Sequence, residues 1–239
     1  MQARFLWRVL KARWRDQRAE LAIIRTHIHP GDTVCDIGAH KGSYLFWLSR
    51  WVRHGRVVAF EPQASLADYL RRIIARMNVT NVTLEQKGVS SFSGQQTFFI
   101  PAPNSPGASL VKNAGASATG QQVTIDVVTL DDYFSSGEKI ALIKIDAEGA
   151  ELAIFQGSAR ILKDSRPVLV FECENRHLEK GSVFDVFSYL TAFGYRGQFL
   201  DAGTLRPLAE FDPAIHQKQS GPGFWNAAGY CNNFVFTPV

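Results

Sequence analysis

Short apolar runs alternate with helical periods along most of the chain, and this rhythm predicts the fold. Residues 2 to about 27 predict one helix. Trp7, Leu10, Trp14 and Leu21 recur on one stripe at helical spacing, with Arg4, Arg8, Lys11, Arg15 and Arg18 on the adjacent stripe. From Thr33 onward the apolar runs shorten to strand length. Thr33 to Ile37, Arg56 to Phe60, Val82 to Glu85, Ile140 to Ile145 and Val168 to Cys173 read as buried strands. Gly42 to Val52, Ser65 to Met77, Ala150 to Leu162 and Ser182 to Phe193 read as helices. The second of these carries Leu66, Tyr69, Leu70, Ile73, Ile74 and Met77 on one face. Such alternation predicts an α/β, doubly wound, mostly parallel sheet, with Tyr195 to Leu200 and Asn233 to Phe236 as an antiparallel edge. The rhythm predicts a single domain over residues 31–239, preceded by a basic amphipathic helix over 1–30. It breaks once, at 97–128. There Thr97 to Ile100 and Val123 to Val128 read as strands around a Pro-, Gly-, Ser- and Asn-rich stretch, Pro101 to Gln122. A loop that long inside a domain is usually a lid, a binding loop or a mobile segment.

Composition narrows the class. With 46% hydrophobic and 20% charged residues among 239, the chain is globular and not disordered. No apolar run approaches the roughly 18 residues of a membrane-spanning helix. Arg4, Arg8 and Lys11 interrupt the N-terminus before a signal-peptide core could form. Cys35, Cys173 and Cys231 are far apart and lack a CxxC pair, which suits free thiols and a cytoplasmic location. The net charge of +4 is concentrated: residues 1–30 hold seven Arg and Lys against Asp16 and Glu20, which leaves the remainder near neutral. That leading helix predicts either a docked helix with its arginines in water or a surface for anionic membrane, a partner or a second copy.

The stretch most informative about chemistry is Val34-Cys35-Asp36-Ile37-Gly38-Ala39-His40-Lys41-Gly42. A buried strand ends in an acid, and a glycine turn then opens a helix whose N-terminal N–H groups can meet a ligand. The second strand runs into Glu61-Pro62, 23 positions after Gly38, where an acid is placed to accept hydrogen bonds from ribose hydroxyls. Glycine is absent from position 40, so the dinucleotide fingerprint fails, and no nucleoside-triphosphate loop exists. Asp36 would repel phosphate and welcome an ammonium. A ribose, an amino-acid tail and no phosphate describe S-adenosylmethionine.

These residues, with Val128-Thr129-Leu130-Asp131-Asp132, Ile143-Lys144-Ile145-Asp146-Ala147-Glu148-Gly149-Ala150-Glu151-Leu152 and Phe171-Glu172, resemble the FkbM family of S-adenosylmethionine-dependent methyltransferases. The likeness covers roughly Gly31 to Glu174, with a weaker tail to Phe236. It implies the seven-stranded class I methyltransferase fold and methyl transfer, usually to an oxygen of a sugar, glycan or natural product. It also implies that Asp36, Gly38 and His40 line the methionine end with Tyr44 nearby, that Glu61 holds the ribose, and that Pro62, Gln63, Lys87 and Gly88 flank the adenine. Position 40, a histidine here, is more commonly asparagine in that family.

Strand-end topology makes Asp146, Glu148, Glu174 and His177 the candidate catalytic groups, because an alcohol must lose its proton during transfer. Asp146 and Glu148 could equally complement the N-terminus of the following helix. Lys144, inside an apolar strand, predicts a buried ammonium paired with Glu172 or Glu174. Asp146 with Glu174 and Asn175 would suit a divalent metal, a reading not favoured over structural ion pairs. Gly221-Pro222-Gly223-Phe224-Trp225-Asn226 and the loop around Ser109 are candidates to close over an acceptor. The motif set lacks the tetrapeptide that holds a flipped base, so a nucleic-acid substrate is disfavoured. N-methylation and a scaffold role without catalysis are the alternatives.

Overall fold

The computed structural model describes residues 2–102, 107–110, 120–221 and 223–239. The expected loop at 103–106 and 111–119 and the Pro222 of the tail lie outside these residues.

The chain opens with α1 (Gln2–Lys11), a π-helical turn (Ala12–Asp16) and α2 (Arg18–His27). The single helix expected here is thus interrupted. Gln17 leaves helical geometry (φ −122°, ψ 28°) and its N–H donates to the Ala12 carbonyl at 2.8 Å, an i→i+5 bond. The expected apolar stripe is corrected as well. Phe5, Val9, Ala12, Leu21 and Ile24 are the buried residues, while Trp7, Leu10 and Trp14 face solvent. The extra residue in the turn changes the phase, so that one face cannot carry both Trp14 and Leu21.

The main sheet then builds from β1 (Thr33–Ile37), followed by α3 (Ser43–Trp51), β2 (Arg56–Phe60), α4 (Ala64–Arg76) and β3 (Val82–Glu85). Three strands follow, β4 (Gly88–Val89), β5 (Gly94–Ile100) and β6 (Gln121–Val128), then α5 (Leu130–Tyr133) and β7 (Leu142–Ile145). The expected helix over Ala150–Leu162 is two, α6 (Glu151–Gln156) and α7 (Ala159–Asp164). They part at Gly157, where a Cβ would lie 2.1 Å from the Ser90 carbonyl oxygen. The rest is β8 (Val168–Glu172), α8 (Val183–Ala192), β9 (Tyr195–Asp201), β10 (Thr204–Pro207), α9 (Pro213–His216) and β11 (Asn233–Pro238).

Among the described residues the strands form an eight-stranded sheet, ordered β10-β9-β11-β8-β7-β1-β2-β3, and a three-stranded sheet, β4-β6-β5. Strands β1, β2, β3, β7 and β8 are mutually parallel, and β11 enters antiparallel between β8 and β9. This is the Rossmann-like methyltransferase architecture with one strand beyond the expected seven. The added β10 folds back on β9 through Ala202 and Gly203, both at positive φ, a hairpin geometry. One face of the main sheet packs the core of Phe60, Phe155, Phe171, Phe187, Phe234 and Phe236. On the other, Leu21, Ile24 and Ile28 of the N-terminal segment share a core with Val34, Leu48 and Val57.

Candidate functional site

Strand order reverses at β1, between β2 and β7, and a crevice opens at the carboxyl ends of these strands, where α/β sheets usually bind ligands. It encloses about 600 Å³, open mouth included. Gly38, His40, Glu61, Pro62, Gln63, Lys87, Gly88 and Asp146 all line it, so eight of the expected cofactor residues are brought together.

The turn after β1 is held to the end of β2. Gly38 N–H and Ala39 N–H both donate to the Phe60 carbonyl at 3.0 Å, and His40 N–H donates to Glu61 Oε2 at 2.7 Å. Gln63 N–H donates to Glu61 Oε1 at 2.8 Å. Both carboxylate oxygens of Glu61 are therefore oriented by backbone, each with a further lone pair available. Burial pushes this carboxyl up to about 7, against the opposing pull of those two N–H groups. His40 sits at φ 46°, a left-handed conformation that asparagine and histidine adopt more readily than most residues. The histidine thus keeps the backbone role that the family's asparagine implies.

Gly38 combines φ 76° with a close approach: a Cβ there would lie 1.9 Å from the Asp146 carbonyl oxygen. Asp146 N–H donates in turn to the Ile37 carbonyl, which locks β1 against the β7 turn. Gly38→Ala is expected to destabilise the fold by roughly 2–4 kcal/mol, from left-handed strain plus displaced backbone. Thermal melting checks this; an unchanged midpoint would mean that the two turns can separate freely.

Asp36 and Tyr44, expected at the methionine end, do not line the crevice. Both are buried behind it around Lys144. The Lys144 ammonium lies 3.6 Å from Asp36, 3.7 Å from Asp146 and 4.6 Å from the Tyr44 ring centroid. Its expected partners were Glu172 or Glu174. Strand register decides otherwise, because Lys144 stands opposite Asp36 on β1 and opposite Val170 on β8. Burial alone would pull the ammonium down, but Asp146 and Asp36 more than offset it and hold Lys144 above its usual range. The cation that Asp36 was expected to welcome is supplied by the chain itself.

Beyond Asp146 the crevice borders a small recess lined by Glu148, Glu151, Glu172, Cys173, Glu174 and His177. Glu148 stands at φ 51° with Gly149 at φ 99°, and a Cβ on Gly149 would lie 2.3 Å from the His177 carbonyl oxygen. Ser109 Oγ donates to the Glu148 carbonyl at 2.6 Å and pins the turn from the other side. The Glu148 carboxyl is in direct contact with His177 Nδ1. Burial, with Asp146 and Glu174 nearby, pushes Glu148 up to about 9. Burial and the Arg176 charge lower His177. At neutral pH the pair therefore holds its shared proton on the glutamate side.

Glu174 is differently placed. Arg176 donates to both its oxygens, at 2.6 and 3.0 Å, Asn232 adds a bond at 3.2 Å, and the Tyr230 hydroxyl contacts it directly. Burial would raise this carboxyl, yet the Arg176 and Tyr230 hydrogen bonds and the guanidinium charge hold it below the usual range. An ionised carboxylate engaged on both oxygens is a poor proton acceptor, which argues against Glu174 as the base. Asn175 is also committed, since its Oδ1 accepts from Val183 N–H at 2.9 Å. Among the described residues no three His, Cys, Asp or Glu side chains are arranged to hold a metal ion.

A second, larger cavity of about 2290 Å³, much of it open, adjoins Glu148 and His177. Phe224, Trp225 and Asn226 line it, and Arg176 stacks over both aromatic rings at 5.5 and 5.3 Å. Ser109 also lines it. Sequence reasoning missed two contributors. The N-terminal segment supplies Asp16, Gln17 and Glu20 to this cavity, and the small sheet and its loop supply Phe98, Ala108 and Leu110 to the crevice. The first has no local signal, because it depends on how remote segments pack; the second is a loop whose length and composition mark it as a binding loop without saying which cavity it meets.

Known proteins share this pattern. Residues 36–196, more than half the chain, match the methyltransferase FkbM domain. The hexuronic acid methyltransferase AglP of Haloferax volcanii is 29% identical over 170 residues, 69% of this chain and 65% of AglP. The methyltransferase sdnD of Sordaria araneosa is 29% identical over 156 residues, 52% of this chain and 59% of sdnD. The matched part thus spans less than two thirds of either relative. Among solved structures, methyltransferase FkbM from Methylobacillus flagellatus superposes with a TM-score of 0.56 at 18% identity, covering 87% of this chain and 44% of that one. A SAM-dependent O-methyltransferase from Thermotoga maritima gives 0.50 at 12% identity, covering 92% and 64%. At these identities the structures speak to the fold alone.

Proposed function

We propose that this chain, which belongs to the FkbM methyltransferase family, transfers a methyl group from S-adenosylmethionine to a hydroxyl of a sugar, glycan or natural-product acceptor. One observation carries the reading: Asp146 lines the crevice that holds Glu61 and also the recess that holds Glu148 and His177. A cofactor site in the crevice and an acceptor site in the larger cavity, which Glu148 and His177 also line, would then be joined across that narrow recess.

The crevice fits the cofactor by its own chemistry. Gly38 lets the β1 turn close tightly on the Asp146 backbone at the crevice wall, and Glu61 presents buried, oriented oxygens suited to ribose hydroxyls. Pro62, Gln63, Lys87 and Gly88 would flank the adenine, while Phe98, Ala108, Leu110 and Ile154 give an apolar wall that excludes water. Bound there, S-adenosylmethionine would supply a methyl group activated by its sulfonium. The chain's part is alignment of the acceptor and removal of its hydroxyl proton, which the Glu148–His177 pair is placed to accept.

For the acceptor, aromatic rings beside Asn226, Asn232, Asn233 and Gln219 suit a polyhydroxylated ligand. The similarity to a hexuronic acid methyltransferase supports a sugar. The lining offers a sugar acid no uncommitted cation among the described residues, since Arg176 is tied to Glu174 and burial with the Arg176 charge lowers His177. Neutral saccharides are therefore favoured over uronic ones.

Calorimetric titration with S-adenosylmethionine, then incubation of methyl-labelled cofactor with neutral saccharides, uronic saccharides, amines and nucleic acid, tests the reading. Label is expected in base-stable ethers of the neutral saccharides. Absence of binding heat, or label confined to amines or nucleic acid, would count decisively against it.

A further inference from the structure

The N-terminal segment carries two apolar faces, and the fold uses one of them. Phe5 and Val9 pack on Phe46 of α3 and Ile73 of α4, and Trp47 Nε1 donates to the Val9 carbonyl at 2.9 Å. The other face points outward. Trp7 is 65% exposed, Leu10 49% and Trp14 68%, with Leu6 beside them. Nine large hydrophobic side chains are exposed among the described residues, and four of them fall within residues 6–14. A cluster of that density marks an interaction surface, whereas the scattered remainder is ordinary.

Charge identifies the partner. Lys11 Nζ lies 5.3 Å from the Trp7 ring and the Arg13 guanidinium 5.1 Å from the Trp14 ring. Arg4, Arg15 and Arg18 are exposed on the same segment. The exposed acid of this segment, Asp16, is tied to Lys11 at 3.0 Å and to Arg15 at 2.8 Å. The result is an indole and leucine strip with a cationic rim. Tryptophan favours the headgroup level of a bilayer, and each cation near an anionic leaflet adds attraction. A second copy of the chain fits poorly, because pairing two such faces brings like-charged rims together.

We infer that this face docks on the surface of an anionic lipid bilayer, with Trp7, Leu10 and Trp14 at the headgroup–acyl boundary and the surrounding arginines and Lys11 on lipid phosphates. The orientation has a consequence for the neighbouring site. The same segment supplies Asp16, Gln17 and Glu20 to the larger cavity, so docking brings that cavity beside the lipid.

Flotation of the full chain with vesicles of equal parts phosphatidylglycerol and phosphatidylcholine tests this, with phosphatidylcholine alone as the comparison. Binding to the anionic vesicles is expected to be at least about tenfold tighter. It should weaken by a similar factor when salt rises from about 0.1 M to about 1 M, where screening shortens from about 10 Å to about 3 Å. The double variant Trp7→Ser/Trp14→Ser should lose about tenfold or more of vesicle affinity at an unchanged melting temperature, since both rings are exposed. Arg4→Glu/Arg18→Glu should do the same through charge alone. The inference is overturned if the chain does not float, if it floats equally with both vesicles, or if the tryptophan variant binds as the parent does. It is equally overturned if those tryptophans instead hold a dimer that does not float.

Discussion

Replacing Glu61 by glutamine is expected to weaken S-adenosylmethionine binding by roughly 10- to 100-fold while moving the melting temperature little. The loss follows from hydrogen-bond chemistry. Two bonds from hydroxyls to a carboxylate are each stronger than bonds to a neutral amide, and together they account for that range. Stability is a balance of opposing terms. Glutamine has one carbonyl oxygen, so either His40 N–H or Gln63 N–H loses its acceptor, at a cost of about 1–3 kcal/mol. Against this, a carboxylate that burial has pushed up to about 7 no longer has to ionise inside the protein. The sign of the pH effect follows from the raised value. The folded chain holds this proton more tightly than the unfolded chain does, so the stability from this group is fully present below its ordinary value of 4.5 and is lost as pH rises through about 7. Cofactor binding runs the other way, because it needs the ionised form: wild-type affinity should rise as pH increases through about 7. Glu61→Gln should abolish that dependence. Calorimetry across pH, paired with thermal melting, reads all three effects. A variant that binds like the parent would remove Glu61 from the ribose site.

The pieces legible in the sequence were the local ones. A strand, a turn and an acid at fixed spacing place Gly38 and Glu61 at one crevice, because β1 and β2 are parallel neighbours and both end there. Lys144 shows where local reading stops. A lysine in a central parallel strand has two neighbours, and its partner depends on register: Asp36 lies directly opposite on β1, whereas Glu172 lies two positions beyond Val170 on β8. Asp36 stays out of the crevice lining for the same reason, since its face of β1 is turned toward Lys144. Glu174 stands out by its strand-end position; of the groups that engage it, Arg176 is two residues on, whereas Tyr230 and Asn232 lie more than fifty residues downstream. The interrupted N-terminal helix is a further instance. Periodicity averages over a window, while the π-turn at Ala12–Asp16 follows from burying Phe5 and Val9 on one side and Leu21 and Ile24 on the other. The eighth strand did carry a signal, the Asp201-Ala202-Gly203-Thr204 turn between two short β-prone runs.

His177→Ala is expected to lower kcat by roughly 10²- to 10⁴-fold, the usual contribution of a positioned base, with cofactor affinity unchanged. The Glu148–His177 contact distributes one proton between the two groups. While Glu148 is protonated it donates to Nδ1, the ring proton sits on Nε2, and the imidazole has no free lone pair to offer. When Glu148 ionises it accepts from Nδ1–H, and Nε2 becomes the available base. Burial and the surrounding carboxylates hold that ionisation up at about 9. Activity should therefore rise with pH to an apparent value near 9 that belongs to the pair and not to either residue. Glu148→Gln separates the two groups. Its amide oxygen can still accept from Nδ1–H, so the base survives and titrates as a lone histidine, which burial and Arg176 hold below the ordinary 6.5. The pH–rate curve of Glu148→Gln should consequently reach its plateau more than two pH units earlier than that of the parent, with kcat at pH 7 maintained or raised. A merely structural histidine would move neither curve. If His177→Ala keeps its kcat, or if Glu148→Gln leaves the profile in place, the proton leaves by another route, and Asp146, the residue shared by crevice and recess, becomes the group to test next.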